Sequence, residues 1–179
     1  MSASMKIIAV ATQKGGAGKS TIAVHLAVEA LRSKKTAQVV LLDLDPQGSV
    51  AGWARRRDLG DPIVLSALPG NLDSYLDHAR SEEIDWVIID TPPAGLFPDA
   101  GIIGSHGHHF LFLTQLNKHR KAFLKAILNR LDESHAEILG VIVNKVNRIK
   151  SRNLGAYRYA DYRKYKNYYS ATASQTPEA

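Results

Sequence analysis

The 179-residue sequence predicts a doubly wound α/β fold, a mostly parallel sheet with helices on both faces. Three observations predict it. Apolar runs of strand length alternate with amphipathic runs of helical length, the pattern of a parallel sheet covered on both sides. A glycine-rich loop, Lys14-Gly15-Gly16-Ala17-Gly18-Lys19-Ser20, joins the first apolar run to the first helical one. Chemically capable residues gather at the carboxyl ends of the apolar runs, where open α/β sheets bind their ligands. These are Thr12, Asp43, Asp45, Asp90 and Asn144.

The elements follow in chain order. Ile7-Ile8-Ala9-Val10-Ala11 marks a first strand over Lys6–Ala11, and a helix is expected over Lys19–Ser33. Val39–Leu44 reads as a buried strand, Ser49–Arg57 as a helix, Ile63–Leu65 as a short strand and Leu72–Arg80 as a helix. Trp86–Asp90 is a strand stopped by Pro92 and Pro93, which cannot continue a ladder. His109–Thr114 and Gly140–Val146 supply two more strands. Between them Ala122, Leu124, Ile127, Leu128 and Leu131 recur at helical spacing within Lys118–Ser134, so they face a core. No internal repeat is visible, and the small, polar Ala171–Ala179 is expected to fray.

The glycine-rich loop carries the clearest chemistry. Glycines let backbone wrap close to phosphate oxygens, and N–H groups at a helix N-terminus point at negative charge. Gly15, Gly16, Ala17, Gly18 and Thr21 are the cradle residues. Lys19 would lie against the β- and γ-phosphates of a nucleotide, and the Ser20 hydroxyl would ligate Mg²⁺. Asp43 and Asp45 stand two apart at a buried strand end. Period two projects them to one side, and their charge demands a cation there. Asp90, at the tip of Trp86-Val87-Ile88-Ile89-Asp90, would reach Mg²⁺ directly or through water.

The strict phosphate-loop pattern asks for glycine where this chain has Gln13. The KGGxGK[ST] form resembles the deviant Walker A loop of the ParA/MinD ATPases. The resemblance implies a Rossmann-like three-layer P-loop fold and hydrolysis of ATP with Mg²⁺. It also implies that Lys14 reaches across an ATP-dependent homodimer to the partner's nucleotide. Asp43-Leu44-Asp45-Pro46-Gln47-Gly48-Ser49 is similar to the D-x-D-P-Q-G-S element of ParA proteins. By that likeness Asp43 holds the Mg²⁺ hydration shell and Asp45 orients the attacking water. Asn144, ending Val141-Ile142-Val143-Asn144, would contact adenine, with a turn-capping asparagine as the alternative. A guanine site would want N-K-x-D, and the fourth position here is Asn147.

The stretch after Asp90 looks more like the exopolysaccharide tyrosine autokinases of bacteria, a group of the same ancestral fold. Thr91-Pro92-Pro93, Asp99–Ile103 and Ile138–Asn144 suit that group. Such kinases phosphorylate a terminal tyrosine cluster, and six of the seven tyrosines here fall in Tyr157–Tyr169. Against that reading, the autokinases lack a lysine like Lys14 and carry arginine after their D-x-D. Motifs next to the nucleotide govern chemistry, so ParA-type hydrolysis ranks first.

Charge divides the chain in two. Residues 1–144 hold fifteen basic and fifteen acidic side chains, so the whole net charge of +6 belongs to residues 145–179. The expected organisation is therefore an ATPase domain over 1–147 and a basic, tyrosine-rich tail over 148–179. Lysine and arginine interleaved with tyrosine suit nonspecific DNA, or are a solvated tail or one packed helical face. A membrane-surface switch would want an amphipathic terminal helix, but the tail has no Leu, Ile or Phe beyond Leu154. Lys118-His119-Arg120-Lys121 is a further basic patch, and His106, His108 and His109 form a loop cluster without a spaced carboxylate or cysteine.

The absence of cysteine excludes disulfides, thiolate zinc sites and cysteine-held iron–sulfur clusters. Met1–Lys6 lacks the build of a signal peptide, so a cytoplasmic, nucleoid-associated location is expected. The implied function is an ATP-switched dimer on DNA that partitions or positions a plasmid or other cargo. A ParB-like activator or cargo adaptor would be its protein partner.

Overall fold

The computed structural model describes residues 5–13, 15–57, 60–93, 109–115, 125–126, 129 and 137–146. Six strands form one parallel sheet: β1 (Lys6–Thr12), β2 (Val39–Asp43), β3 (Ile63–Ser66), β4 (Trp86–Asp90), β5 (His109–Gln115) and β6 (Glu137–Asn144). Their spatial order is β3-β2-β4-β1-β5-β6. Three helices accompany them, α1 (Lys19–Ser33), α2 (Ser49–Ala54) and α3 (Leu72–Ser81), the last entered through a 3₁₀ turn at Pro69–Asn71.

Two cores show that the sheet is covered on both faces. On one, Leu72, Leu76 and Ala79 of α3 pack with Val40, Leu42, Val87, Ile89, Phe110 and Phe112. On the other, Ala23, Ala27 and Ala30 of α1 and Val50 of α2 pack with Val10, Leu41, Ile88 and Leu113. Strand period two sends alternate residues to the two cores, which is why β2 and β4 are apolar almost throughout. The small alanines on α1 let that helix lie close to the sheet. Every connection between parallel strands then returns each strand's carboxyl end to the same edge.

From β1 the chain moves through α1 to β2 on one side, while β5 lies on the other side of β1. That reversal opens a crevice at the carboxyl ends, beside β1. Register brings specific residues to it. Asp43 lies opposite Asp90, Thr12 opposite Leu113, and Gln115 opposite Asn144.

Most expected elements stand within a residue of their bounds, with two differences. α2 ends at Ala54 rather than Arg57, because the ladder tightens there: Arg56 N and Arg57 N donate three residues back, to Trp53 O and Ala54 O. β6 begins at Glu137 and stops at Asn144, three residues earlier than apolarity suggested at its start. A register shift at Phe110/Leu111 admits the extra residue, and Lys145 at φ 55° breaks the strand. Of the helix expected over Lys118–Ser134, Lys125, Ala126 and Asn129 are described and helical. The tail 148–179 lies outside the described residues.

Candidate active site

The loop after β1 turns on two glycines, Gly16 at φ 76° and Gly18 at φ 97°. Side chains other than glycine rarely take that left-handed backbone. A Cβ added at Gly15 or Gly16 would meet nothing within 4 Å, so the rim of the loop stands open. Gly18 is also the N-cap of α1, which has no side-chain cap and no acidic residue in its first turn. The helix therefore presents its first N–H groups to whatever enters, and the dipole favours an anion there.

Lys19 opens that helix, and its cation would oppose the helix dipole were it not paired. Its Nζ lies 2.6 Å from Asp90 Oδ1 and 3.0 Å from Asp45 Oδ2. Ser20 Oγ donates to the other Asp90 oxygen at 2.7 Å. One lysine thus joins the loop, the end of β4 and the turn after β2. Asp90 is wholly buried, and that burial raises its pKa above the ordinary 3.8. Lys19 and the Ser20 bond pull it back down, while nearby Asp43 pushes it up.

Asp43 ends β2 and is satisfied by backbone. Its two oxygens accept from Asp45 N at 3.2 Å and Ala51 N at 2.9 Å, which ties the β2–α2 turn around it. Asp45 lies beyond the strand and accepts from Gln47 N at 3.1 Å. Asp43 and Asp45 also line a cleft of about 470 Å³, with Pro46, Leu68, Tyr75 and Pro92 among its walls.

Three carboxylates here meet one described ammonium, so negative charge is left over. Among the described residues no three acidic or histidine side chains converge as a ready metal cage. That suits Mg²⁺, which keeps several waters and takes one or two carboxylates plus phosphate oxygens. Ser20, Asp90 and Asp43 supply only hard oxygen donors. An open loop of N–H groups beside a buried lysine suits the phosphates. The residues present fit ATP and Mg²⁺.

At the other side of the loop, Asn144 Nδ2 donates to Ala17 O at 2.8 Å, and its Oδ1 accepts from Lys145 N at 2.8 Å. Gln115 Nε2 and Lys145 Nζ both reach Gly16 O, at 2.8 and 2.6 Å. Reading the sequence missed Gln115 and Lys145 as site residues. Gln115 lay one position past the expected strand end, and the rule that polar strand ends line the crevice would have found it.

The structure therefore brings together Lys19, Ser20, Asp43, Asp45 and Asp90, with Gly15–Gly18 beside them and Asn144 against Ala17. Thr21 lies in the first turn of α1. Lys14, Lys118–Lys121, His106, His108 and Tyr157–Tyr169 lie outside the described residues. His109 begins β5 and pairs with Glu137 at 3.0 Å.

A parallel sheet whose first strand feeds a glycine loop, a helix N-terminus and a lysine facing acidic strand ends is a P-loop nucleotide-binding domain. The chain belongs to the CobQ/CobB/MinD/ParA nucleotide binding domain family, whose model matches residues 8–169. It is an ATPase of that family, working with ATP and Mg²⁺. Among similar proteins, the tyrosine-protein kinase CpsD of Streptococcus agalactiae is 27% identical across 89% of this chain and 81% of its own. The chromosome-partitioning ATPase Soj of Thermus thermophilus is 32% identical across 51% of this chain and 48% of its own. Among solved structures, the tyrosine kinase domain of BceF superposes with a TM-score of 0.64 at 25% identity, covering 79% of this chain and 69% of that one. Among the described residues, no helix is long and apolar enough to cross a membrane.

Proposed function

We propose that this ATPase is a ParA-type switch that dimerises on ATP, binds nonspecific DNA in that state and is released by hydrolysis. The observation that carries the nucleotide chemistry of this reading is the position of Lys19, shared between buried Asp90 at 2.6 Å and Asp45 at 3.0 Å. Lys19 is the phosphate ligand. By exchanging Asp45 for phosphate oxygens it frees that carboxylate to orient the attacking water, which is positioning more than strong basicity. Ser20 and Asp90 would hold Mg²⁺, with Asp43 on its hydration shell. When bound there, the ion would supply positive charge beside the transferred phosphoryl group. Lys14 acts across the dimer on the partner's phosphates, an arginine-finger role filled by lysine.

Residues 1–147 form the ATPase domain and the basic tail 148–179 supplies DNA contacts. A ParB-like activator or cargo adaptor then selects the plasmid or other cargo, in a nucleoid-associated cytoplasmic setting. The similarity to Soj supports partitioning. The test is one titration of nonspecific duplex DNA with Mg-ATP and Mg-ADP at moderate salt. Binding confined to ATP supports the switch, and binding indifferent to nucleotide argues against it.

One observation favours a second reading, tyrosine autophosphorylation. The likeness to CpsD runs along 89% of this chain, and the tyrosines crowd at Tyr157–Tyr169. Labelled γ-phosphate separates the two: free phosphate supports the switch, and label retained on those tyrosines supports the kinase.

A further inference from the structure

We infer that Gln115, Asn144 and Lys145 form a latch that holds the phosphate loop in its binding shape, making the end of β6 a determinant of phosphate affinity whatever the base. The inference rests on the loop being the nucleotide site. In a trans peptide the C=O and N–H point in opposite directions. A loop that aims its N–H groups at an anion must aim the matching carbonyls outward, and those carbonyls need donors of their own.

The structure shows where two of them go. Gly16 O accepts from Gln115 Nε2 at 2.8 Å and Lys145 Nζ at 2.6 Å. That fixes the plane of the Gly16–Ala17 peptide and with it the aim of the Ala17 N–H. Ala17 O accepts from Asn144 Nδ2 at 2.8 Å, which sets the Gly18 N–H in the same way. An ammonium on a carbonyl also polarises the peptide and strengthens the donor at its other end.

Two features mark the latch as built into the fold. Gln115 and Asn144 are direct partners across the β5–β6 ladder, so one register point delivers both donors to adjacent carbonyls. A Cβ at Gly18 would come within 2.5 Å of Asn144 Nδ2, so the glycine leaves room for the asparagine. Asn144 is itself held, since its Oδ1 accepts from Lys145 N at 2.8 Å. Lys145 adopts φ 55°, a left-handed turn that brings its side chain back to the loop. These are positioning residues: they act on phosphate through the backbone they hold.

The expectation that Asn144 reads adenine makes a different prediction, and the two separate cleanly. The test uses the full chain and the variants Gln115→Ala, Asn144→Ala, Lys145→Met and Lys145→Arg. Affinities for Mg-ATP, Mg-GTP and inorganic tripolyphosphate are measured by calorimetry, with Lys19→Ala as the loss-of-binding control. Each removal should weaken all three ligands by a common factor of about three to ten, the worth of one hydrogen bond. Lys145→Arg should stay within about twofold, since it restores a cationic donor. Gln115→Ala with Lys145→Met should lose more than the product of the singles, because Gly16 O then has neither donor.

Unchanged affinities in a folded Asn144→Ala, Gln115→Ala and Lys145→Met set would overturn the latch while leaving the nucleotide site intact. So would a loss confined to ATP with tripolyphosphate spared, which would make Asn144 a base reader. Failure of the parent chain to bind any of the three ligands would sink the nucleotide reading, and the latch with it.

Discussion

The centre of the sheet and its β6 edge are built differently. β2 is buried at every residue and β4 at all but its first, and both end in carboxylates held by loop and helix. β6 alternates between half-buried and exposed along its whole length, with Leu139, Val141 and Val143 open on one face. The acidic strand ends thus sit where charge is costly and geometry is over-determined. The latch sits at the strand ends beside that edge, where each side chain adds one hydrogen bond to the loop. Damage at the centre should be close to all-or-none, and damage at the edge should be graded.

The largest effect expected is from Lys19→Ala. It removes the one described cation between Asp90 and Asp45, and turnover should fall at least about a hundredfold, as for other lost charge-stabilising donors. Steady-state phosphate release checks it, and near-parental turnover would place the chemistry elsewhere. Asp45→Asn should lower kcat by up to about a hundredfold while leaving ATP affinity nearly intact, the pattern of a group that orients the nucleophile. A matched loss of affinity would make Asp45 a binding residue instead.

Leu41→Ala, at the centre, should cost about 2–5 kcal/mol of stability. Val143→Ala, about half exposed at 46%, should cost less than about 1 kcal/mol. Urea unfolding of the two variants tests the comparison directly, and equal costs would break it.

Asp90 gives a pH signature of a buried centre. Its pKa is raised above 3.8, so between 3.8 and the raised value the folded chain keeps a proton that the unfolded chain has lost. Stability from this group therefore falls as pH rises through that window. Asp90→Asn should remove that slope, read as the difference between parent and variant urea midpoints from about pH 4 to 7. Parallel curves would mean that Lys19 fully offsets the burial of Asp90. The smallest expected effect on nucleotide binding belongs to Lys14→Ala. It should leave ATP affinity of the monomer unchanged and abolish the ATP-linked dimer in sedimentation. Undiminished dimerisation would remove Lys14 from that role.

Much of the centre was legible because its signals are local. A strand, a glycine loop and a helix adjacent in sequence are adjacent in space, so Gly15–Ser20 announces itself. Asp43 and Asp90 were legible as polar ends of apolar runs, a pattern that burial imposes. The edge was not. Nothing near Gln115 or Lys145 in the sequence says that either meets Gly16, because those contacts span about a hundred residues or more and depend on strand order. β6 was placed late for a related reason: on an edge strand half the apolar residues are exposed, so hydrophobicity marks its limits poorly.

Alternation of apolar and amphipathic runs was enough to determine the class of fold, and residue chemistry was enough to single out a glycine loop and its acidic companions. Those properties depend on neighbours within a turn or a strand. Only the tertiary structure decided that Lys19 is divided between two aspartates, that Asp43 faces backbone donors, and that Asn144 lies against the loop. Each depends on which strands stand side by side and in what register. That choice is made by the packing of two cores on one sheet, and no short stretch of sequence encodes it.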